Sequence, residues 1–340
     1  MSSTPDIITE KNGVKDAAEP ASFPKHPSLR GTSAIIFLTL LIACNMPDKS
    51  HIKLLDKREL LNFPSASAVE FHDNKLYVIG DDSRSMVILD KTYSILDSVS
   101  LFPGESLRIP KKEKDDLEAS TFISYNGKDH LLVAGSGSKE EREVFFVFPL
   151  EDPAGYQRIA SHVFWQSLRT NGLETINIEG LATMKDKLIF ANRAHRRQPH
   201  NHFIIADAAI LNDTARASLH VVLLELENEE EIVKGVSGLT YIPSLDMLLF
   251  TASVEDTEST IDDGNIGDSF LGWINDFSAK AKEKKITADE LVNLPAIHPD
   301  FKGEKIESVC VESVGETLTL HLVADNDDGT STLFKLTVKP

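Results

Sequence analysis

Along most of the chain, apolar and polar residues alternate with a period of two, in short runs bounded by Gly, Asn, Asp and Ser, while the helical period is scarce. Five times the same unit recurs: a small or acidic pair, a few alternating residues, then an apolar run ending in small or polar residues. The first starts at Ser67-Ala68 and leads to LYVIGDDS at 76–83; the second starts at Glu118-Ala119 and leads to LLVAGSGS at 131–138. Glu179-Gly180-Leu181 leads to LIFANRAH at 188–195, Ser237-Gly238-Leu239 to LLFTASVE at 248–255, and Glu307-Ser308-Val309 to LTLHLVADND at 318–327. A third apolar strand follows most units (MVILD at 86–90, EVFFVF at 143–148, FIIAD at 203–207, TLFKLTV at 332–338). An irregular fourth often comes next, as in YSILDSVSL at 93–101 or SLHVVLLEL at 218–226. Four antiparallel strands recurring about every 50–70 residues predict an all-β fold, a β-propeller with five visible four-stranded blades. A sixth, degenerate blade has room at 270–300, where Gly272-Trp273-Ile274 and the later ITADELVNL resist placement. The last unit lacks an outer strand. His51 to Leu61 is expected to supply it, closing the ring and leaving no raw sheet edge. The rival architecture is a β-sandwich of the same strands.

One segment breaks the pattern. Ala34 to Ala43 reads AIIFLTLLIA, apolar except for Thr39. At about 1.5 Å per helical residue it is too short for a bilayer core of about 30 Å, but it has the length of a signal-peptide apolar region. It ends in Leu41-Ile42-Ala43-Cys44, which resembles a bacterial lipobox, and Lys25 and Arg30 supply positive charge ahead of it. The expected organisation is a removed segment 1–43, a lipidated Cys44 with a short tether at 44–50, and a propeller domain at 51–340. The resulting location is the cell envelope, with the periplasm as the compartment expected. Asn45 after the cysteine, instead of Asp, leans towards the outer rather than the inner membrane, by resemblance to known sorting patterns.

The removed segment is neutral, with Asp6, Glu10, Asp16 and Glu19 against Lys11, Lys15, Lys25 and Arg30, so the mature chain keeps the formal charge of −18. A field of that sign repels nucleic-acid phosphates and anionic head groups and favours cations. Nucleic acid is therefore excluded as a partner, and a monomer is expected. With Cys44 lipidated, Cys310 has no partner for a disulfide and reads as a small buried hydrophobe.

If the unit starts are equivalent, Ser67, Glu118, Glu179, Ser237 and Glu307 form a ring at the channel entrance. Three converging carboxylates repel unless protonated or bridged by a cation. Oxygen-rich ligand sets suit a hard ion such as Ca²⁺. The same glutamates also admit a structural reading, as hydrogen-bonded contacts that hold neighbouring blades in register. The second-strand ends add Asp81, Asp82 and Arg84, then Arg193, His195, Arg196 and Arg197, then Asp325, Asn326 and Asp327. Asp325 and Asp327 join the candidate metal ligands, and Asp81 and Asp82 the channel rim. NRAHRRQPHNH at 192–202 is the one basic island; Arg193, His195, Arg196 and Arg197 suit anion recognition better than a transition metal, because arginines oppose a dication. The acidic stretch from Glu255 to Asp268 lacks EF-hand spacing. No G-x-S-x-G, H-E-x-x-H or P-loop occurs, which removes several enzyme classes.

Glu179-Gly180-Leu181-Ala182, Ser237-Gly238-Leu239-Thr240 and ADND at 324–327 resemble the blade motifs of bacterial esterase-like phytase propellers. They are also similar to a neighbouring group of propeller lipoproteins related to SdiA-regulated proteins. The resemblance covers most of 65–338. It implies calcium-dependent phosphate-ester hydrolysis with Glu118, Glu179, Glu307 and Asp325 near bound cations. The chain departs from that pattern in showing five units where six are expected, and serine at two ring positions. Two functions follow. One is a binding lipoprotein whose funnel takes an anionic small molecule, a glycan or a protein partner. The alternative is a Ca-dependent phosphoesterase of phytase-like type, with Arg193 and Arg197 clamping the phosphate.

Overall fold

The structure is a computed structural model and describes residues 51–212, 218–226, 232–255, 266–326 and 329–340. After β1 (Ile52–Leu60), blade 1 comprises β2 (Ala66–His72), β3 (Lys75–Gly80), β4 (Ser85–Asp90) and β5 (Ile95–Ser100). Blade 2 comprises β6 (Leu117–Tyr125), β7 (Lys128–Gly135), β8 (Phe145–Pro149) and β9 (Gln157–Ile159), and helix α1 (His162–Thr170) follows it. Blade 3 has β10 (Ile178–Met184), β11 (Lys187–Asn192), β12 (Asn201–Asp207) and β13 (Leu219–Glu225); blade 4 begins with β14 (Lys234–Ile242), β15 (Met247–Glu255) and β16 (Ile266–Ile274). The short β17 (Lys285–Thr287) joins blade 3 parallel to β13, and β18 (Glu290–Asn293) completes blade 4. Blade 5 has β19 (Ile306–Val314), β20 (Leu318–Asp325) and β21 (Ser331–Val338).

The first strands of the five blades pack on one another in cyclic order: β2 on β6, β6 on β10, β10 on β14, β14 on β19, and β19 back on β2. That closed ring is a five-bladed propeller, not a sandwich. The expected closure holds: β1 pairs antiparallel with β21 from Ile52↔Val338 to Leu60↔Ser331, so the chain's first strand is the outer strand of its last blade. The room for a sixth blade is taken up otherwise. Gly272-Trp273-Ile274 lies in the third strand of blade 4, and the segment after it is split between blades 3 and 4.

Apolar inward positions of adjacent sheets interlock between blades. Phe145, Phe164, Trp165 and Phe190 stack between blades 2 and 3, so α1 serves as a wedge in that seam. Cys310 is buried in the seam between blades 5 and 1, as expected. Near the axis the inner strands come closest. A Cβ built on Gly238 lies 2.7 Å from Ser308 Cα and 2.8 Å from the Glu307 carbonyl, which leaves room only for hydrogen there.

Candidate functional site

Each inner strand carries a β-bulge at the same place. Pairing skips one residue between Ala66 and Ala68, Leu117 and Ala119, Ile178 and Gly180, Val236 and Gly238, and Ile306 and Ser308. The skipped residues are Ser67, Glu118, Glu179, Ser237 and Glu307, so the unit starts are structurally equivalent. A bulge bends the strand and re-aims the extra side chain, which is how five residues come to share one end of the axis.

The two residue types then do different things. Ser67 Oγ donates to the Leu117 carbonyl at 2.5 Å and Ser237 Oγ to the Ile306 carbonyl at 2.6 Å. Each serine thus ties its own bulge to the residue just before the glutamate bulge of the next blade. Blade registration falls to the serines.

The glutamates enter a charge network. Arg193, buried at the end of β11, lies 3.4 Å from Glu179 Oε2, 3.2 Å from Glu255 Oε2 and 3.6 Å from Glu307 Oε2. It also donates to Ser253 Oγ at 2.9 Å. Lys305 reaches Glu307 Oε1 at 3.0 Å and Glu255 Oε2 at 3.5 Å. On the other side, Asp116 accepts from Arg142 Nη1 at 2.5 Å, Ser136 Oγ at 2.6 Å and Lys114 Nζ at 2.8 Å, and Lys114 also pairs with Asp81. Asp81, Asp116 and Glu118 each offer a carboxylate oxygen, all within 4.8 Å of one another.

Six carboxylates (Asp81, Asp116, Glu118, Glu179, Glu255, Glu307) therefore share this end with four cations (Lys114, Arg142, Arg193, Lys305), a formal excess of two negative charges. Glu118 has no hydrogen bond or ion pair among the described residues. Burial, and then the carboxylates of Glu179, Asp116 and Asp81, push its carboxyl well above the ordinary range. Burial lifts Glu179 to about 7, with Arg193 opposing and Glu307 adding to the rise. Asp81 rises to about 6 through burial, against the pull of Lys114 and with a push from Asp116 and Asp82. Asp81 Oδ1 and Glu307 Oε2 are buried without a hydrogen-bond donor. With every carboxyl ionised the cluster is short of positive charge, and the raised Glu118 and Glu179 relieve that excess by holding protons until a cation takes their place.

The remaining expected residues scatter. Asp82 accepts from Arg108 Nε at 2.6 Å, and its Oδ1 has no donor. Asp325 is buried at the end of β20, in the field of Arg108. Asp327 lies outside the described residues, as do Cys44 and Asn45. The basic island does not converge on one ligand. Arg193 is turned inwards and committed to carboxylates, whereas Arg196 and Arg197 are exposed on the turn closed by the His195–Gln198 bridge. His195 is half-buried, and burial followed by Arg197 and Arg193 holds its pKa below the ordinary value. The acidic stretch contributes Glu255 to the network; its residues 256–265 lie outside the described ones. A groove of about 1350 Å³ between blades 3 and 4, lined by Lys234, Phe270 and Leu291 among others, contains none of the network's residues.

Lys114, Asp116, Arg142 and Lys305 escape a reading confined to unit starts and second-strand ends, and Glu255, the last residue of a second strand, reads there only as the start of an acidic stretch. A signal for two of them exists: Asp116 and Lys305 each stand two places before a bulge glutamate, where Asn177 stands before Glu179 and donates to its Oε1 at 2.6 Å. Arg142 carries no such mark, because only the β7–β8 connection folds it back onto Asp116.

These features define a class: a five-bladed propeller with a buried, carboxylate-rich charge network at one mouth of its channel. Within that class, the chain belongs to the family described as "Family of unknown function (DUF6929)", whose model matches residues 62–338. The match is to this family, and the comparisons give no support to the phytase-like or SdiA-related propellers in particular. No curated protein matches the chain. Among solved structures it is similar to a Myxococcus xanthus glutaminyl cyclase, at 10% identity over 84% of this chain and 97% of the other with a TM-score of 0.45. It is also similar to a putative exported protein from Bacteroides fragilis, at 9% identity over 86% and 97% with a TM-score of 0.41. The Swd1 β-propeller domain from Myceliophteria thermophila matches at 12% identity over 81% and 87%, with a TM-score of 0.34. At such identities the likeness concerns the fold.

Proposed function

We propose that this is an exported, lipid-anchored binding propeller, held at the outer membrane through Cys44, whose ligand site is the carboxylate mouth. The ligand's binding group is positively charged, and a hard divalent cation such as Ca²⁺ fits best. The observation that carries this reading is the excess of two negative charges in a buried network, centred on Glu118, which the described residues leave unpaired. Carboxylate oxygens from Asp81, Asp116 and Glu118 would hold the ion, with Lys114 swinging away from Asp81 as it enters. An ammonium group on a small molecule would satisfy the same carboxylate oxygens less fully, since it carries one charge.

The polarity differs from the anionic ligand expected from the basic island, because Arg193 is spent on Glu179, Glu255 and Glu307. For the same reason the phosphoesterase reading loses its clamp, and binding is the function favoured. The test is isothermal titration of the purified chain with CaCl₂ after chelation, repeated on Glu118→Gln. Saturable binding by the parent and at least about tenfold weaker binding by the variant support the proposal. Absence of binding by the parent, or equal affinity in both, rejects the ion.

A further inference from the structure

The mouth occupies one end of every inner strand, and the opposite end has its own character. There the β2–β3, β6–β7 and β14–β15 hairpins turn tightly, with Asp73, Asn74, Asn126 and Asp246 in the left-handed region. The described chain also enters at this end: Ile52 pairs with Val338, which pairs with Leu318, and Lys339 N–H donates to the His51 carbonyl at 2.7 Å. Exposed apolar side chains stand here too, namely Ile95, Leu96, Leu245 and Val314.

We infer that this end of the propeller is a lipid-facing surface that rests on the bilayer holding the anchor, so that the carboxylate mouth points away from the membrane. The inference depends on the lipid anchor at Cys44. Its first support is chain length. From Cys44 to His51 is seven residues, which span at most about 24 Å when fully extended. The nine residues of β1 that separate this end from the mouth cover about 30 Å. A tether that starts at the entry end is shorter than the strand it must pass, so it cannot bring the mouth onto its own membrane. The second support is charge. At the mouth the network's carboxylates are buried and exposed Arg196 and Arg197 stand at the rim, whereas at the hairpin end Lys53, Lys75 and Lys185 stand among Asp73, Asp186 and Glu316, a balanced field that a headgroup layer tolerates beside the exposed apolar side chains. The third support is the four exposed apolar side chains at that end, which gain by entering the interface.

The lipidated full chain, reconstituted into vesicles of phosphatidylethanolamine and phosphatidylglycerol, tests this. Single cysteines at Leu245→Cys and Val314→Cys, or at Leu61→Cys and Leu107→Cys by the mouth, are labelled with an environment-sensitive fluorophore; Cys310 is buried and does not compete. With a lipid-borne nitroxide quencher, the labels at 245 and 314 should lose most of their fluorescence while those at 61 and 107 keep theirs. Equal quenching at both ends, or stronger quenching at 61 and 107, overturns the orientation even if the protein floats with the vesicles. Flotation that fails in the parent, or persists unchanged in Cys44→Ser, overturns the anchor instead, and the orientation falls with it.

Discussion

Replacing Glu179 with Gln isolates the electrostatic strain in the mouth. Burial raises this carboxyl from an ordinary 4.5 to about 7, and that rise already includes the opposing pull of Arg193. For a carboxyl whose folded pKa is raised, the native state holds its proton more tightly than the unfolded chain does. Its contribution is complete below about pH 4.5 and is lost as pH rises through about 7. Two and a half units at about 1.4 kcal/mol each put the loss at no more than about 3.5 kcal/mol. Gln keeps the acceptor for Asn177, is never charged, and leaves Arg193 with Glu255 and Glu307. Thermal melts of parent and Glu179→Gln after chelation, from about pH 4 to pH 9, should start together. Above pH 7 they should separate by several degrees in the variant's favour. Saturating Ca²⁺ should stabilise both proteins and narrow the gap, because the ion relieves repulsion on an ionised Glu179 that a neutral Gln does not feel. A variant that melts below the parent at high pH would refute the reasoning and make Glu179 a structural partner of Arg193.

Three other outcomes follow from the same geometry. Ser237→Ala removes the 2.6 Å bond to the Ile306 carbonyl and should cost about 1 kcal/mol in denaturant titrations while leaving Ca²⁺ affinity unchanged, in contrast to Glu118→Gln. Burial depresses His321 to about 4, and its ring bridges the Tyr93 hydroxyl at 2.8 Å and Glu312 at 2.9 Å. Because the unfolded chain protonates first, stability should fall as pH drops from about 6.5 to 4; His321→Phe should abolish that acid limb in the melts but cost about 1–3 kcal/mol at neutral pH by leaving the buried Tyr93 hydroxyl without its partner, while Glu312 keeps Lys335. Gly238→Ala presses a methyl onto Ser308 Cα and the Glu307 carbonyl, both backbone, and should destabilise by about 1–3 kcal/mol, read as a lowered melting temperature.

The repeat was legible in the chain because each blade must satisfy the same two demands: a strand alternating core and rim, and a turn at each end. Those demands leave a mark every blade, so the propeller repeat, the strand loaned from His51–Leu61 and the equivalence of Ser67, Glu118, Glu179, Ser237 and Glu307 all follow from local pattern. What local pattern cannot carry is partnership across blades. Arg193 stands in a run of arginines and histidines that reads as an anion site, yet its β11 end faces the neighbouring blade's Glu255 and the next blade's Glu307. The strands β17 and β18 left room for a sixth blade beside the five counted, because nothing in a three- or four-residue run states which sheet edge it will join. Residue order alone thus determined the architecture and the five ring positions. The closed ring decided which of them are charged neighbours and which serines register the blades, because those distances exist only once the first strand has met the last.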